Sequence, residues 1–372
     1  MFVNVDWFFY SHRMSIAKAS RDHNIDMFVY TDFTAKERKE NHNEYSLIQS
    51  PLSRSSKNLW FLFFEFINSF LLIYREKPDL IHAVTIKPII FMGLIAKLTK
   101  TPFIAAISGF GPVINQNNWF QWLRFKVVLT LYRFIFSSKT VTTICQSEND
   151  KNILLKYNIC SASKILMISG SGVDLKKFQP KTSQKDHLIV LMASRILKDK
   201  GIVEYCTAAK LFKKKDKRKV KFMLAGPIDE VSPSSISEDE IKKLCLDSNV
   251  EYLGDKDDLE DLLSSSSIFI LPSYYPEGLP KVLLEASACG IPIITTDHPG
   301  CRDAVIDQKT GILVKTRDPD ALVDAIKYMF DNSEIMEEMG KAGRELAENL
   351  YNEDDVINLH YELYKDLTKK KF

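Results

Sequence analysis

The chain has 372 residues, 45% apolar and 26% charged, which suits two α/β domains of about 180 residues each and excludes a disordered chain. Six cysteines without a CxxC pair and seven histidines without metal spacing exclude a disulfide framework and a zinc site, and read as free thiols in a reducing compartment. The net charge of +2 hides a split: residues 1–180 carry 22 Lys and Arg against 13 Asp and Glu, and the remainder 28 against 35. An anionic surface or ligand therefore suits the N-terminal half. With no interleaved nucleic-acid motif, a membrane or a pyrophosphate lipid is expected there rather than nucleic acid.

Met1–Val5 reads as a short β-strand, not as a secretory leader. The stretch DWFFYSHR leads from it into a helix over Met14–His23, and Met27–Thr31 is a second strand. His12 and Arg13 thus fall near the end of a first parallel strand, where α/β proteins place ligands; surface residues at a turn are the other reading. Leu59–Tyr74 is the most apolar segment, but Glu65 and Asn68 and its length exclude a membrane span, leaving a buried or interfacial helix. In PDLIHAVTIKP a strand ends at His82, which puts His82, Thr85 and Lys87 at its carboxyl edge, with a core-packed His82 as the alternative. Thr101–Val113 is a strand entering a loop with Gly109 and Gly111, which permit close backbone approach. Asn118–Lys139 mixes Trp119, Phe120, Trp122 and Phe134 with Arg124, Lys126, Arg133 and Lys139. That pattern suits either the plane of an anionic bilayer or packing on the domain. Val141–Cys145 and Ile165–Ile168 are further strands, the latter followed by Gly170-Ser171-Gly172.

Polar Lys181–His187 after Pro180 is the expected linker, between an N-terminal domain over 1–180 and a C-terminal one over 188–350, with a terminal helix over 351–372. Leu188–Met192 is then a first strand that delivers Arg195 and Lys200 on its loop. Val220–Ala225 is another, and Ser232–Asp239 reads as a mobile loop. Asp255-Lys256-Asp257 has the look of a D-x-D metal box, but between the strand VEYLG and the helix DLEDLL it reads as a capping turn. Leu271–Gly300 is strand, loop, helix, strand. Pro280 suits a first helical turn, and the backbone donors around Gly278, Leu279, Pro280 and Lys281 meet the positive end of the helix dipole, an anion seat. Glu285, about one and a half turns in, leans back toward that seat, and Glu277 lies on the loop before it. On spacing alone, two solvated glutamates on a βα loop fit equally well.

Glu277 and Glu285 with GLP and EA, LPS at 271–273, GIPII at 290–294 and PGCRDAV at 299–305 resemble the E-x7-E region of retaining glycosyltransferases of family 4, of GT-B type. The resemblance implies two doubly wound, Rossmann-like α/β domains facing across a cleft. It implies an N-terminal domain that binds acceptor and a C-terminal one that binds nucleotide-sugar, with the terminal helix crossing back to the first. In the family the second glutamate holds the ribose and the first lies near the donor sugar, roles that fall on Glu285 and Glu277. Arg195 and Lys200 resemble the cations that clamp the donor diphosphate, and GSGVDLKKFQP resembles the segment whose Ser171 and Gly172 approach the donor. VDWFFYSHR resembles the opening of bacterial members that extend lipid-linked sugars. It implies an acceptor side built from His12, Arg13, His82, Lys87, Ser108 and Gly109. Ser108 stands where many relatives have a histidine, which removes a His-based role there. Relatives usually carry a few more residues before strand one, so a clipped first strand is expected.

The expected reaction is transfer of a hexose or N-acetylhexosamine, with retention, from a UDP-sugar to a lipid-diphosphate-linked saccharide in O-antigen or capsule assembly. Fixed cations and helix amides would take up the leaving charge without metal or cofactor. The enzyme is expected to be cytoplasmic and peripheral on the inner face of the membrane. The rivals are a GT-B-like sugar-nucleotide epimerase, which needs cleft carboxylates and no acceptor, and a non-catalytic membrane-bound assembly subunit.

Overall fold

The computed structural model describes residues 1–34, 43–53, 58–114, 118–181 and 187–368. Contacts divide the chain into two compact units: Met1–Ser171 with the segment from Glu353 onward, and Gly172–Asn352. Residues 172–180 thus belong with the second unit, and most of the expected linker, 182–186, lies outside the described residues.

In chain order the first unit has α1 (Asp6–His12), α2 (Met14–Lys18), β1 (Met27–Thr31), β2 (Tyr45–Gln49), α3 (Leu59–Glu76), β3 (Ile81–Val84), α4 (Ile86–Thr99), β4 (Phe103–Ile107), α5 (Trp119–Phe136), β5 (Val141–Cys145), α6 (Glu148–Lys156) and β6 (Ile165–Met167). The second has β7 (Leu188–Ala193), α7 (Ile202–Lys215), β8 (Val220–Ala225), α8 (Glu238–Ser248), β9 (Val250–Gly254), α9 (Leu259–Ser265), β10 (Ile268–Leu271), α10 (Lys281–Ala288), β11 (Ile293–Thr296), α11 (Cys301–Ala304), β12 (Gly311–Val314), α12 (Pro319–Asp331) and α13 (Ser333–Leu350). The last helix, α14 (Glu353–Thr368), returns to the first unit.

The expected first strand is reduced to one pairing residue. Phe2 bridges in parallel to Tyr30 on one side and Ala83 on the other, joining β1–β2 to the run β3-β4-β5-β6. The stretch from Asp6 expected to lead into the first helix is itself helix α1, Asp6–His12, with Asp6 in its first turn, where a carboxylate meets the positive dipole end. The next helix stops at Lys18, short of the expected His23. Asparagine caps start the two aromatic helices: Asn58 Oδ1 accepts from Trp60 N at 2.9 Å and Asn118 Oδ1 from Gln121 N at 2.9 Å.

Side chains alternate across this sheet with the period of a strand. Ala83 and Ala105 enter a core against α4 and α5, while Val84, Ile104 and Ala106 enter a second core. That second core is closed by Phe9 and Ile16 and by Val356, Tyr361 and Tyr364 of α14. The second unit has a single core around a six-stranded parallel sheet of order β12-β11-β10-β7-β8-β9. Counted within the unit, this is order 3-2-1-4-5-6 read from the β9 edge. Its strand order reverses between β7 and β10, and ligands bind at such a switch point, beyond the carboxyl ends of the strands.

Candidate donor site

Every group expected to handle the donor, Ser171 apart, falls in the second unit. Arg195 follows β7 and Glu277 follows β10, the two strands on either side of the switch point. The loops that carry them are locked by close backbone approach. Gly201 has φ +83°, and a Cβ there would stand 2.2 Å from the carbonyl oxygen of Pro272. Gly300 has φ +89°, and a Cβ would stand 2.2 Å from the carbonyl oxygen of Gly278. Only glycine allows both the left-handed conformation and the contact. Hydrogen bonds complete the lock: Tyr274 N donates to the Asp199 carbonyl at 2.9 Å and Tyr274 Oη to the Lys198 carbonyl at 3.0 Å.

The two expected cations already have anionic partners. Arg195 Nη1 lies 2.6 Å from Asp229 Oδ2, and Lys200 Nζ is ion-paired with Glu277 Oε1. Lys200 is only 6% exposed and also lies 5.3 Å from the ring centroid of Tyr275. Ser273 Oγ stands 3.4 Å from the same Glu277 oxygen. Burial, the larger influence, raises the Tyr275 phenol above its ordinary range against the opposing pull of Arg195. Burial likewise holds His298, on the loop after β11, below the usual imidazole range. The site is therefore electrically closed: each cation is paired with a carboxylate, Lys200 nearly buried and Arg195 with 24% of its side chain exposed.

Opposite these pairs, α10 begins at Lys281 with Pro280 as its N-cap residue and no side-chain cap. Pro280 thus stands one position earlier than its expected place in the first turn. Glu285 is buried on this helix and Leu279 packs into the core. Gly278 lies in the backbone contact with Gly300. Ser171, the last residue of the first unit, is buried with no hydrogen-bond partner for its hydroxyl, between Gly170 (φ +72°) and Gly172 (φ +74°).

Sequence reading missed Asp229, Tyr275 and Ser273. Asp229 follows β8, the strand beside β7; a carboxylate beyond the carboxyl end of that neighbouring strand was the available signal. Ser232–Asp239, expected to be a mobile loop, is tied down: Lys198 N donates to the Ser234 carbonyl at 2.8 Å, and Ser237 with Glu240 forms a capping box on α8. Asp258, not Asp255 or Asp257, takes the N-cap position of α9, without a side-chain cap bond.

The acceptor-side residues are placed differently. His12 ends α1 with its ring stacked on Phe8 at 4.3 Å. Arg13 is wholly buried; Nη1 donates to the His12 carbonyl at 2.9 Å, while Nε and Nη2 have no hydrogen-bond partner. Burial lowers the Arg13 guanidinium to about 10. His82 is buried too, its Nδ1 2.8 Å from Tyr364 Oη and its ring 5.8 Å from that of His360. Arg13 and His82 thus sit under α14 rather than at an exposed edge. Lys87 pairs with Glu65 at 2.7 Å and donates to the Ser53 carbonyl at 2.6 Å. Ser108 and Gly109 (φ +92°) follow β4, half-buried.

The family models for "Glycosyl transferases group 1" and "Glycosyl transferase 4-like" match residues 174–346 and 1–169. An N,N'-diacetylbacillosaminyl-diphospho-undecaprenol alpha-1,3-N-acetylgalactosaminyltransferase of Campylobacter jejuni is 30% identical over 97% of this chain and 96% of its own. A UDP-Gal:alpha-D-GlcNAc-diphosphoundecaprenol alpha-1,3-galactosyltransferase of Escherichia coli is 26% identical over 82% of this chain and 80% of its own. The sucrose-phosphate synthase of Thermosynechococcus elongatus superposes with a TM-score of 0.79 at 22% identity, covering 98% of this chain and 96% of that one. A six-stranded doubly wound unit, another parallel α/β unit and family matches that together span nearly the whole sequence lead to one conclusion: this chain is a glycosyltransferase of the group 1, family 4-like kind, with the GT-B fold.

Proposed function

We propose that this chain transfers a hexose or N-acetylhexosamine from a UDP-sugar to a lipid-diphosphate-linked saccharide, with retention and without metal, in bacterial surface-glycan assembly. The observation that carries the reading is the convergence of Arg195, Lys200 and the uncapped start of α10 on the β7/β10 switch point. A departing nucleoside diphosphate develops negative charge there, and two cations with aligned amides can take it up. Glu285 holds the ribose, and Glu277, once diphosphate displaces it from Lys200, orients hydroxyls of the donor sugar. The leaving phosphate oxygen removes the acceptor proton. The acceptor class follows from the relatives' names, both of which specify an undecaprenol-diphosphate saccharide. Retention has similar support: UDP-galactose is α-linked, and the Escherichia coli relative is named for an α product. The chain acts from the cytoplasmic face, with the basic, aromatic α5 against the membrane; no described helix is long and apolar enough to cross it.

The test is a panel of nucleotide-sugars offered with a short-chain lipid-diphosphate saccharide, reading product mass and the anomeric proton coupling. The reading expects one added sugar, in α linkage from an α donor, at a rate a chelator does not change. An inverted product, a chelator-sensitive rate or turnover without acceptor would overturn it.

A further inference from the structure

Helix α3 is apolar on its outward face as well as its inward one. An ordinary surface helix buries an apolar stripe and shows water a polar one. Here the buried residues are Glu65, Ser69 and Ile73, with Phe66, Phe70 and Leu72 half-buried against the same core. Besides Leu59, Phe61 and Asn68, the side chains in the open include six apolar ones, Trp60, Phe63, Phe64, Ile67, Leu71 and Tyr74. At 3.6 residues per turn these six share an arc of about 100° along the helix. The inward carboxylate is in use: Glu65 accepts from Ser53 N at 2.9 Å and pairs with Lys87 of α4 at 2.7 Å, which pins α3 to its neighbour.

Helix α5, like α3, packs against α4, and residues of all three helices share one core. Both helices connect successive parallel strands, so both begin at the carboxyl edge of the sheet. Their leading turns expose Trp60 and Phe61 on one and Trp119 and Phe120 on the other. Outside the inward Lys87–Glu65 pair, α3, α4 and α5 carry Arg75, Lys97, Arg124, Lys126 and Arg133 around this apolar ground, against Glu76 alone.

We infer that α3 is the element of this protein that inserts into the membrane, lying in the plane of an anionic bilayer with its outward face among the acyl chains, and that α5 is its basic, aromatic margin. Aromatic and aliphatic side chains on a helix too charged to span, with cations and hardly an acid around it, match the boundary between headgroup and acyl chain. A second protein copy would have no use for the unbalanced positive charge. The Lys87–Glu65 pair then holds the docked helix to the sheet that carries the acceptor side. The inference rests on the membrane-borne acceptor proposed above, and it gives α3 the leading part that the sequence pattern alone assigned to α5.

The experiment is co-sedimentation of the full chain with vesicles of phosphatidylcholine, with and without phosphatidylglycerol. Phe64→Ser/Leu71→Ser alters only outward side chains, so folding should be unaffected, and circular dichroism checks this. Binding to the anionic vesicles should fall at least about tenfold in this variant, and Leu246→Ser, an exposed leucine of the other unit, should not change it. Unchanged binding by the α3 variant overturns the inference, and so does equal wild-type binding to neutral vesicles. A lipid-free dimer that the α3 variant dissolves, read by sedimentation velocity, would assign the face to a second copy. Transfer to a short-chain, water-soluble acceptor should be the same in wild type and variant. If wild type transfers nothing, the functional reading falls while the vesicle result still stands or falls on its own.

Discussion

Lys200 and Glu277 pose the sharpest question at the scale of single residues, because each neutralises a charge that the other would leave nearly buried. Removing one partner of such a pair strands the other. Glu277 keeps some solvent contact, with 20% of its side chain exposed, so Lys200→Met should destabilise by about 2 kcal/mol, below the usual range for fully buried pairs. Its kcat should fall about 100- to 1000-fold, as when a fixed charge aimed at the leaving group is lost. The double variant Lys200→Met/Glu277→Leu separates the two effects: thermal melts should recover most of the stability, while transfer stays as low as in the single variant. Arg13 gives the opposite expectation. A wholly buried guanidinium with two unpartnered nitrogens and no carboxylate partner among the described residues contributes little net stability. Arg13→Met should therefore melt at the same temperature as wild type or higher, measured side by side. The cations were legible in the sequence because a charged residue stands out directly after an apolar strand. Their counter-charges were less so: Asp229 lies 34 residues from Arg195 and Glu277 lies 77 from Lys200, and local spacing carries no information on such pairs.

At the scale of elements, most strands were readable as apolar runs bounded by Gly and Pro, whereas β2 and the order of strands in the sheets were not. Helix character was read less well. The segment Leu59–Tyr74 is apolar on nearly every side, interrupted only by Glu65, Asn68 and Ser69, so its periodicity gives no facing direction, and the contact of Glu65 with Lys87 reveals which side of α3 turns inward. The return of α14 to the first unit was implied by the family resemblance, but the contacts that dock it were hidden: Tyr361 Oη donates to the Ile16 carbonyl at 2.6 Å, and His82 meets Tyr364. That docking makes a pH prediction. His360 is held at about 3 by burial, with Arg13 adding to the effect, and His82 is held well below its ordinary value by burial, His360, Arg13 and the terminal amine. The unfolded chain binds these protons near pH 6.5 and the folded chain does not. Stability is therefore full above about pH 6.5 and falls as the pH drops toward the folded values, at about 1.4 kcal/mol per pH unit for each histidine. Melting temperature should decline between pH 6.5 and 4, and His360→Leu should flatten that slope; an equal slope in the variant would assign the acid sensitivity elsewhere.

For the whole molecule, the chain crosses between its two units twice, after Ser171 and after Asn352, and the consequences for the two units are unequal. The first unit is assembled from both ends of the sequence. Val356, Tyr361 and Tyr364 fill the core that Phe9 and Ile16 open, so a chain ending before Glu353 would leave that core exposed to water. The second unit is continuous. Its ends are already tied, with Val173 N donating to the Tyr351 carbonyl at 2.7 Å and Val173 bridging to Asn352. It also has its own core and every proposed donor-binding group except Ser171. A fragment of residues 172–352 should thus fold cooperatively by itself, as a domain with neighbouring termini does. Because the cations and the α10 amides are held by contacts internal to this unit, its affinity for UDP should lie within about tenfold of the intact chain, a difference of about 1.4 kcal/mol. Calorimetric titration of fragment and full chain with UDP measures this directly. A well-folded fragment with no affinity would mean that nucleotide recognition draws on residues outside 172–352, and the electrically closed site at the β7/β10 switch point would then need another explanation.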